Sequence, residues 1–376
     1  MFCRSWGDCW MSKLVFLEDV CDILDSQRVP VTSKNRNKGI YPYYGANGVQ
    51  DYVDDYIFDD ELVLLAEDGG NFGSTEKPIA YRTSGKCWVN NHAHVLKAKE
   101  CIDVDYLCYS LMFYNVSSIV NGATRQKLNQ SMMRKMIIPL PEMNEQHIIV
   151  SKLDKVTNAI KLCNTILEKL DLLVKSQFVE MFGDIRISSI FPNISLDNFA
   201  QIGSSKRVHA ADYVESGIPF YRSKEIIELG NGQEPSVELF ISKKQYECIR
   251  KTNGVPCKGD ILMSAVGTIG KMWIVDGQKD FYYKDGNIIS IHSEETNPIY
   301  LKEALANLID DFKSANVAGS AYSALTIVKL KKMTVPMPPI SLQNEFADFV
   351  QQIDKSKFDV QLLIKNIRIV KFYDQF

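Results

Sequence analysis

The stretch that decides the fold is Ile138-Pro139-Leu140-Pro141-Glu142-Met143-Asn144-Glu145-Gln146, a proline cluster that leads directly into a long apolar repeat. Proline cannot continue the element before it, so the cluster ends one structural unit and starts another. Beyond it, apolar residues recur every seven positions in two rows, which are Leu153, Ile160, Leu167, Val174 and Met181, and Ile149, Val156, Cys163 and Leu170. Such a seam predicts a long helix from about Glu145 to Phe182 that packs against a second helix.

The same junction occurs again near the end of the chain. Val335-Pro336-Met337-Pro338 matches the first proline cluster, and Asn344-Glu345 matches Asn144-Glu145. A second seam follows, with the rows Ile353, Val360 and Ile367, and Phe349, Ser356, Leu363 and Val370. Because weaker matches keep the same order along both halves, the chain is predicted to be a tandem duplication of a globular segment followed by a helix.

Each globular segment is predicted to be an α+β domain. Short β-rich runs lie at residues 61–66, 88–96, 260–263, 271–275 and 287–291, and helical stretches lie at residues 105–114 and 300–314. The first long helix leaves one domain and the second returns, so we expect two similar domains, an antiparallel coiled-coil pair and a pseudo-twofold axis. The predicted boundaries are residues 12–138 and 184–335 for the domains, and residues 139–183 and 336–376 for the helices.

Composition limits the class of protein. The 376 residues carry 43 Lys and Arg against 46 Asp and Glu, and 45% are hydrophobic, which is typical of globular domains. The net charge of -3 argues against a protein that coats nucleic acid by bulk charge, but not against a local basic face. Nine cysteines without a Cys-x-x-Cys motif, no signal peptide and no apolar membrane span indicate a cytoplasmic location. We expect the organised sequence to begin near Met11.

The sequence shows no motif of an active site. It has neither a phosphate-binding Gly-x-x-x-x-Gly-Lys loop nor a Gly-x-Gly-x-x-Gly loop, and Glu-x-Lys does not occur. Asn297-Pro298-Ile299-Tyr300 resembles a methyltransferase tetrapeptide, yet its third residue differs, and a helix-capping turn explains it better. His92 and His94 are interpreted as alternating strand residues rather than metal ligands. We therefore predict a non-catalytic chain without a metal or cofactor of its own.

Three windows contain cations but no acid, at residues 26–50, 106–141 and 312–344. Basic side chains beside Tyr, Asn, Ser and Gly suit phosphate contacts and hydrogen bonds to base edges, although solvated loops without a partner would look similar. The residues predicted to face DNA are Lys34, Arg36, Lys38, Tyr43, Tyr44, Asn47 and Arg125 in the first domain, and Lys206, Arg207, Arg222, Lys224, Thr268, Ser320 and Tyr322 in the second.

The proline–helix junctions, from Asn144 to Asp154 and from Pro338 to Lys355, resemble those of specificity subunits of type I restriction–modification systems. Tyr41-Pro42-Tyr43-Tyr44-Gly45-Ala46-Asn47-Gly48 and Gly122-Ala123-Thr124-Arg125 are similar to elements of that family's target-recognition domains. The resemblance covers nearly the whole chain after Met11. The second domain departs from it, reading Ile218-Pro219-Phe220-Tyr221-Arg222-Ser223-Lys224, which implies a different base preference.

This resemblance implies a DNA-recognition subunit in which each domain reads one half of an asymmetric, bipartite site and the helices set the gap. It also implies as partners double-stranded DNA, two modification (methyltransferase) subunits and two restriction subunits, with S-adenosylmethionine, Mg²⁺ and ATP used only by the partner subunits. Two alternatives remain at this point: a methyltransferase or nuclease whose motifs have drifted, and a coiled-coil adaptor with no role on DNA.

Overall fold

Both predicted long helices are present, at Met143–Phe182 and Ile340–Tyr373. They belong to a computed structural model that describes residues 13–122, 126–184, 188–316 and 325–373. The chain forms two compact units: unit 1 is Met1–Cys163 with Ile364–Phe376, and unit 2 is Asn164–Leu363. Each long helix therefore belongs to both units. In the described parts of the chain, no helix is long and apolar enough to cross a membrane.

Unit 1 is a mixed α+β unit. Its elements are β1 (Lys13–Phe16), α1 (Leu17–Val20), β2 (Cys21–Ile23), β3 (Lys38–Gly45), β4 (Gly48–Val53), β5 (Phe58–Asp59), β6 (Leu62–Ala66), β7 (Ala80–Thr83), β8 (Lys86–Val89), β9 (Ala93–Ala98), α2 (Val104–Met112), α3 (Gln130–Arg134), β10 (Ile137–Leu140) and the first part of α4 (Met143–Phe182). One sheet has the order β2-β9-β6-β7 and another β4-β3-β8-β5, while β1 pairs with β10 at the proline cluster.

Strand β6 explains how unit 1 is held together. All five of its residues are buried, as expected of a strand that is covered on both faces. Val63 and Leu65 pack in the core that includes α2, whereas Leu62 and Leu64 pack against residues of the second sheet. The continuous apolar run of β6 thus places one sheet between the helices and the sheet that carries the tyrosine motif.

Unit 2 repeats this arrangement with insertions. Its elements are the rest of α4, then β11 (Gly183–Asp184), β12 (Ser188–Ser189), β13 (Asn193–Ser195), β14 (Gln201–Gly203), β15 (Tyr213–Val214), β16 (Ile218–Tyr221), α5 (Ser223–Gly230), β17 (Phe240–Ile241), α6 (Lys243–Thr252), β18 (Ile261–Ser264), β19 (Met272–Ile274), β20 (Tyr282–Tyr283), β21 (Ile288–His292), α7 (Pro298–Asn316), α8 (Ile327–Lys331), β22 (Thr334–Pro336) and α9 (Ile340–Tyr373). The order β14-β21-β18-β19 corresponds to β2-β9-β6-β7, and the β13–β22 pair corresponds to β1–β10.

A buried glutamine fastens each proline cluster to its helix. Gln146 accepts a hydrogen bond from the Asp103 amide at 2.8 Å and donates to the Pro141 carbonyl at 2.9 Å. Gln343 makes the same pair of bonds, with the Asn297 amide and the Pro338 carbonyl, both at 2.9 Å. Gln146 therefore corresponds to Gln343, so the sequence-based match of Asn144-Glu145 with Asn344-Glu345 is wrong.

The two long helices run antiparallel in unit 2. Asp171 of α4 pairs with Lys357 of α9 at 2.7 Å, and farther along α4 the ring of Phe178 lies 5.6 Å from that of Phe346, which comes earlier in α9. Tyr300 of α7 stacks on Phe178 at 5.7 Å. This aromatic cluster ties the helix pair to the core of unit 2.

The predicted seam of α4 faces inward: Leu153 is buried, and Ile149, Val156, Ile160, Leu167 and Leu170 are half-buried. In α9, Ile353 is buried and Phe349, Val360 and Ile367 are half-buried, but Leu363 is 49% exposed, so its predicted place in the seam between the helices is wrong. The second inward row consists of Val350, Lys357 and Ile364. Because Lys357 is charged, this row does not stand out in the sequence as an apolar repeat. The incorrect match of Asn144-Glu145 with Asn344-Glu345 also placed the predicted row one residue too early in the chain.

Candidate nucleic-acid interface

The tyrosine motif forms a hairpin that supports the first basic loop. β3 pairs antiparallel with β4 and parallel with β8. Tyr43 was predicted to face DNA, but only 1% of it is exposed, and its hydroxyl accepts from the Val31 amide at 3.0 Å and donates to the Val31 carbonyl at 3.2 Å. Tyr43 thus anchors the loop before β3 instead of reaching DNA.

Arg36 is held in a defined orientation by Tyr43. Its guanidinium lies 4.0 Å from the centre of the Tyr43 ring, and its Nε donates to the Val31 carbonyl at 3.1 Å. Asp51 lies 3.4 Å away and balances part of the charge. Because stacking and backbone bonding restrict the side chain, little conformational entropy remains to be lost when the planar guanidinium binds an acceptor pair.

The other residues predicted in the first basic window lie around this hairpin. Lys34 and Lys38 are exposed, and Tyr44 is half-buried against Tyr81, with 5.7 Å between ring centres. Asn47 is exposed in the β3–β4 turn and donates to the Gly69 carbonyl at 3.0 Å. Arg125 lies outside the described residues.

Three of the four cations predicted to face DNA in unit 2 are paired with acidic side chains, namely Arg207, Arg222 and Lys224. Glu225 and Glu238 accept hydrogen bonds from Arg222 at 2.7 and 3.0 Å. These bonds raise the pKa of Arg222, and the bond to Glu225 contributes most. Glu238 also pairs with Lys224 at 3.1 Å. Arg207 is largely exposed but pairs with Asp285 at 2.8 Å.

Lys206 and Thr268 are exposed, while Ser320 and Tyr322 lie outside the described residues. The backbone amide of Lys206 donates to the hydroxyl of Tyr282 at 2.7 Å. Tyr282 belongs to β20, which pairs parallel with β16 just as β8 pairs with β3. A buried tyrosine hydroxyl therefore anchors the basic loop in each unit, although the two tyrosines lie on different strands.

A buried polar cluster in unit 1 was not foreseen from the sequence. Asp25, Glu67 and His94 bring oxygen or ring nitrogen atoms within 4.8 Å of one another, which is close enough to hold a metal ion. Arg28, however, lies 2.7 Å from Glu67 and 3.5 Å from Asp25, and Lys127 lies 3.0 Å from Glu67. Cations of the chain itself thus balance both carboxylates.

The same cluster holds residues 128–130 in place. These residues follow Arg125, which was predicted to face DNA. His94 donates from Nε2 to the Leu128 carbonyl at 2.8 Å, and Gln130 donates to Asp25 at 2.9 Å. Burial raises the pKa of Asp25, but hydrogen bonds from His94, the Val95 amide and Gln130 outweigh this and lower it overall. An ionised Asp25 is therefore the centre of the cluster.

Sequence reasoning missed Asn90 and Asn91 at the end of β8, and it placed His92 in a strand, whereas His92 lies in the turn between β8 and β9. Asn90, Asn91 and His92 follow β8 directly, and Gln50 of β4 lies beside them, with the Asn90 amide donating to Gln50 at 3.0 Å. The sequence did contain a signal for these residues, because they form a short polar run between two apolar strands. Its position beside Arg36 depends on the parallel pairing of β3 with β8.

A family model described as the type I restriction modification DNA specificity domain matches residues 11–172 and again residues 191–366. A Haemophilus influenzae protein described as a type I restriction enzyme specificity subunit is 31% identical over 344 residues, which cover 90% of this chain and 86% of that protein. The Escherichia coli EcoprrI specificity subunit is 24% identical over 133 residues, covering 35% of this chain and 32% of that protein.

Two solved structures share the fold. The type I restriction–modification S subunit from M. genitalium superposes with a TM-score of 0.52 at 14% identity and covers 99% of this chain and 97% of that one. A chain from a structure on complex assembly and conformational transition of the type I system gives a TM-score of 0.53 at 15% identity, covering 96% of this chain and 95% of that one. At these identities the likeness concerns the fold alone.

Proposed function

Because the chain belongs to the family of type I restriction–modification specificity subunits, which recognise DNA sequence through two domains, we propose that each unit reads one half of an asymmetric, bipartite site. The observation that carries this proposal is the duplication with divergence. The two units share their strand pairing, yet they place different polar side chains beside equivalent strands. Two domains that share a backbone arrangement but present different side chains would recognise two different half-sites.

We propose that the helix pair sets the distance between the half-sites. α4 is a single helix of 40 residues that belongs to both units, and α9 runs antiparallel to it in unit 2. An α-helix rises by about 1.5 Å per residue and resists bending, so the number of residues in the helices would determine the gap.

The exposed faces of the helices support docking of the partner subunits. Leu162, Ile166 and Leu173 on α4 are 61%, 37% and 44% exposed, and Phe358 and Leu362 on α9 are 62% and 45% exposed. Apolar side chains at helical spacing that remain in solvent are typical of a protein interface. We propose that two modification subunits bind here, and that two restriction subunits complete the assembly in the cytoplasm, where the chain would meet its DNA.

We propose that the chain catalyses no reaction itself. The partner subunits would bind S-adenosylmethionine, Mg²⁺ and ATP, and this chain would supply the orientation on DNA. The alternative of a methyltransferase with drifted motifs makes a different prediction, since the purified chain alone would then bind S-adenosylmethionine. Equilibrium binding of labelled S-adenosylmethionine to the chain alone distinguishes the two, and we expect no saturable binding.

The main test compares methylated genomic DNA from cells with and without the chain. We expect one bipartite motif to lose its methylation when the chain is deleted, and to regain it when the chain is restored. Binding to duplex DNA should also weaken steeply with salt, because each phosphate contact releases counterions. An adaptor without a role on DNA would show neither effect, and such a result would refute the proposed function.

A further inference from the structure

A recess on unit 1 collects polar side chains of three separate segments. It has a volume of about 480 Å³ and lies between the loop before β3, the start of β4 and the turn after β8. Arg36, Gln50, Asn91 and His92 line it, and the buried ring of Tyr43 forms part of its wall. The recess therefore contains Arg36, one of the cations that were predicted to contact DNA.

In the turn after β8, the side-chain amide of Asn90 stabilises the turn, while the side-chain amide of Asn91 is free to bind a ligand. Asn90 is 3% exposed, and its side-chain oxygen accepts from the His92 amide at 2.8 Å while its nitrogen donates to Gln50 at 3.0 Å. Asn91 is exposed, and within the described residues its carboxamide has no hydrogen-bond partner. The structure thus presents a donor and an acceptor at a rigid turn.

Two of these polar groups are already oriented before any ligand binds. Arg36 is stacked on Tyr43, and His92 lies 2.5 Å from Asp68. In the major groove, a carboxamide can donate to N7 and accept from the N6 amino group of adenine, while a guanidinium suits the two acceptors of guanine. The chemistry of the recess therefore matches the edges of DNA bases, in addition to phosphate.

Unit 2 has a corresponding turn that is one residue longer and carries different side chains. The Asn90 amide donates to the Tyr44 carbonyl at 3.0 Å, and the Lys284 amide donates to the Tyr221 carbonyl at 2.9 Å, each directly after the parallel strand pair. Asn90 and Asn91 therefore correspond to Lys284 and Asp285, and the turn of unit 2 is one residue longer, with Gly286 and Asn287 in place of His92. Equivalent backbone thus carries a neutral amide in unit 1 and the carboxylate of Asp285, paired with Arg207 at 2.8 Å, in unit 2.

We propose that this turn reads base edges in both units, with Asn91 recognising an adenine in one half-site and Asp285 with Arg207 determining the base at the matching place in the other. This inference rests on the proposed function and adds to it the residues that give the two halves different sequences. Half-sites of different sequence need different donors and acceptors at equivalent places, and these positions provide them.

The test uses genomic methylation in cells in which variants replace the chain, beside its natural partners. We expect N91A to relax the preference at one base of one half-site by on the order of ten-fold and to leave the other half unchanged. N91D keeps the shape but can only accept hydrogen bonds, so it should shift the preference from adenine towards cytosine. D285N should affect only the opposite half-site.

Asn158 is an exposed asparagine on α4 and provides the matched control, because N158A should leave both halves unchanged. If N91A abolishes methylation altogether, purified variant and wild-type chains are titrated with duplexes that differ at single bases. Discrimination unchanged from wild type at every base would overturn the inference while the proposed function stands. A wild-type chain that supports no bipartite motif would instead refute the proposed function itself.

Discussion

Gln146 and Gln343 are the residues on which the repeat depends structurally. Each is almost completely buried, and each satisfies an amide at the start of a helix in the preceding globular segment and a carbonyl in the proline cluster. Buried backbone groups that lose their partner cost free energy, so the glutamine cannot be replaced by an apolar residue of similar size without loss. The two glutamines therefore define which residues of the two halves are equivalent.

We predict that Q343L lowers the free energy of unfolding by about 1–3 kcal/mol, because the Asn297 amide and the Pro338 carbonyl would remain buried without a partner. Chemical denaturation followed by circular dichroism measures this change. Gln351 is exposed on the same helix, and Q351L is the control that should change stability by less than about 0.5 kcal/mol. Equal effects of the two substitutions would contradict the assigned role.

The cluster around Asp25 makes unit 1 sensitive to acid. Hydrogen bonds lower the pKa of Asp25 despite its burial, and those from Arg28 and Lys127 do the same for Glu67. A carboxylate whose pKa is lower in the folded state stabilises the fold fully above its unfolded pKa, about 3.9 for Asp. This stabilisation is lost as the pH falls below that value and through the lower pKa of the folded state.

We predict that D25N destabilises unit 1 by about 3–5 kcal/mol near pH 7, since it leaves buried charges without their partner. The difference from wild type should shrink as the pH falls below about 3.9 and through the lower pKa of folded Asp25, because wild-type Asp25 then becomes protonated as well. Denaturation at a series of pH values measures it. Ser204 takes the place of Asp25 in unit 2, so S204A should show no such dependence, and a D25N effect that is constant with pH would contradict the prediction.

At the scale of elements, local pattern predicted most of the regular structure. The five β-rich runs and the two shorter helical stretches fall on regular elements, namely β6, β18, β19, β21, α2 and α7, while the run at residues 88–96 is divided by a turn into β8 and β9. Two helices of unit 2, α5 and α6, and the β3–β4 hairpin were missed. The hairpin contains Pro42 and follows a basic loop, and its strand β3 is held by pairing with β8, which lies far along the chain.

Lys357 shows why the seam of α9 could not be read completely from its apolar residues. Its side chain is 22% exposed, and its charge pairs with Asp171, which is 66% exposed. Burial lowers the pKa of Lys357, but the bond to Asp171 and the charge of Asp354 raise it overall. The methylene groups of lysine can lie along an apolar surface while the ammonium group reaches water, so a charged residue can occupy an inward row.

We predict that K357M changes the free energy of unfolding by less than about 1 kcal/mol, because it keeps the packed stem and loses only ion pairs with two exposed partners, Asp171 and Asp354. K357A removes the stem as well and should cost more. Thermal denaturation of both variants, with the exposed K355A as control, measures the difference. A K357M variant as unstable as K357A would show that the ion pairs, rather than packing, stabilise this position.

At the scale of the whole molecule, the proposal that the helix pair sets the distance between the DNA half-sites can be tested by changing the length of the helices. Both long helices pass from one unit to the other, α4 after Cys163 and α9 after Leu363. An insertion of seven residues at each of these points preserves the phase of the seam and lengthens both helices by about 10 Å, or about three base pairs. Matched insertions in both helices avoid a bulge in one of them.

We predict that the matched insertion lengthens the gap between the methylated half-sites by about three base pairs and leaves both half-site sequences unchanged. Sequencing of methylated genomic DNA measures the gap. Seven residues inserted instead in the loop at Gly254 should leave it unaltered. A gap of wild-type length in the double insertion would contradict the proposal that the helices set the distance.

The amino-acid sequence by itself determined the tandem organisation, the two long helices and the core strands. These follow from apolar periodicity and from prolines, which act over a few neighbouring residues. Only the tertiary structure decided which polar residues are buried and which are presented. Tyr43 is covered by a loop, Gln343 is enclosed, and Asn91 is left open beside Arg36. Such outcomes depend on contacts between residues far apart in the chain, whose partners no local pattern specifies.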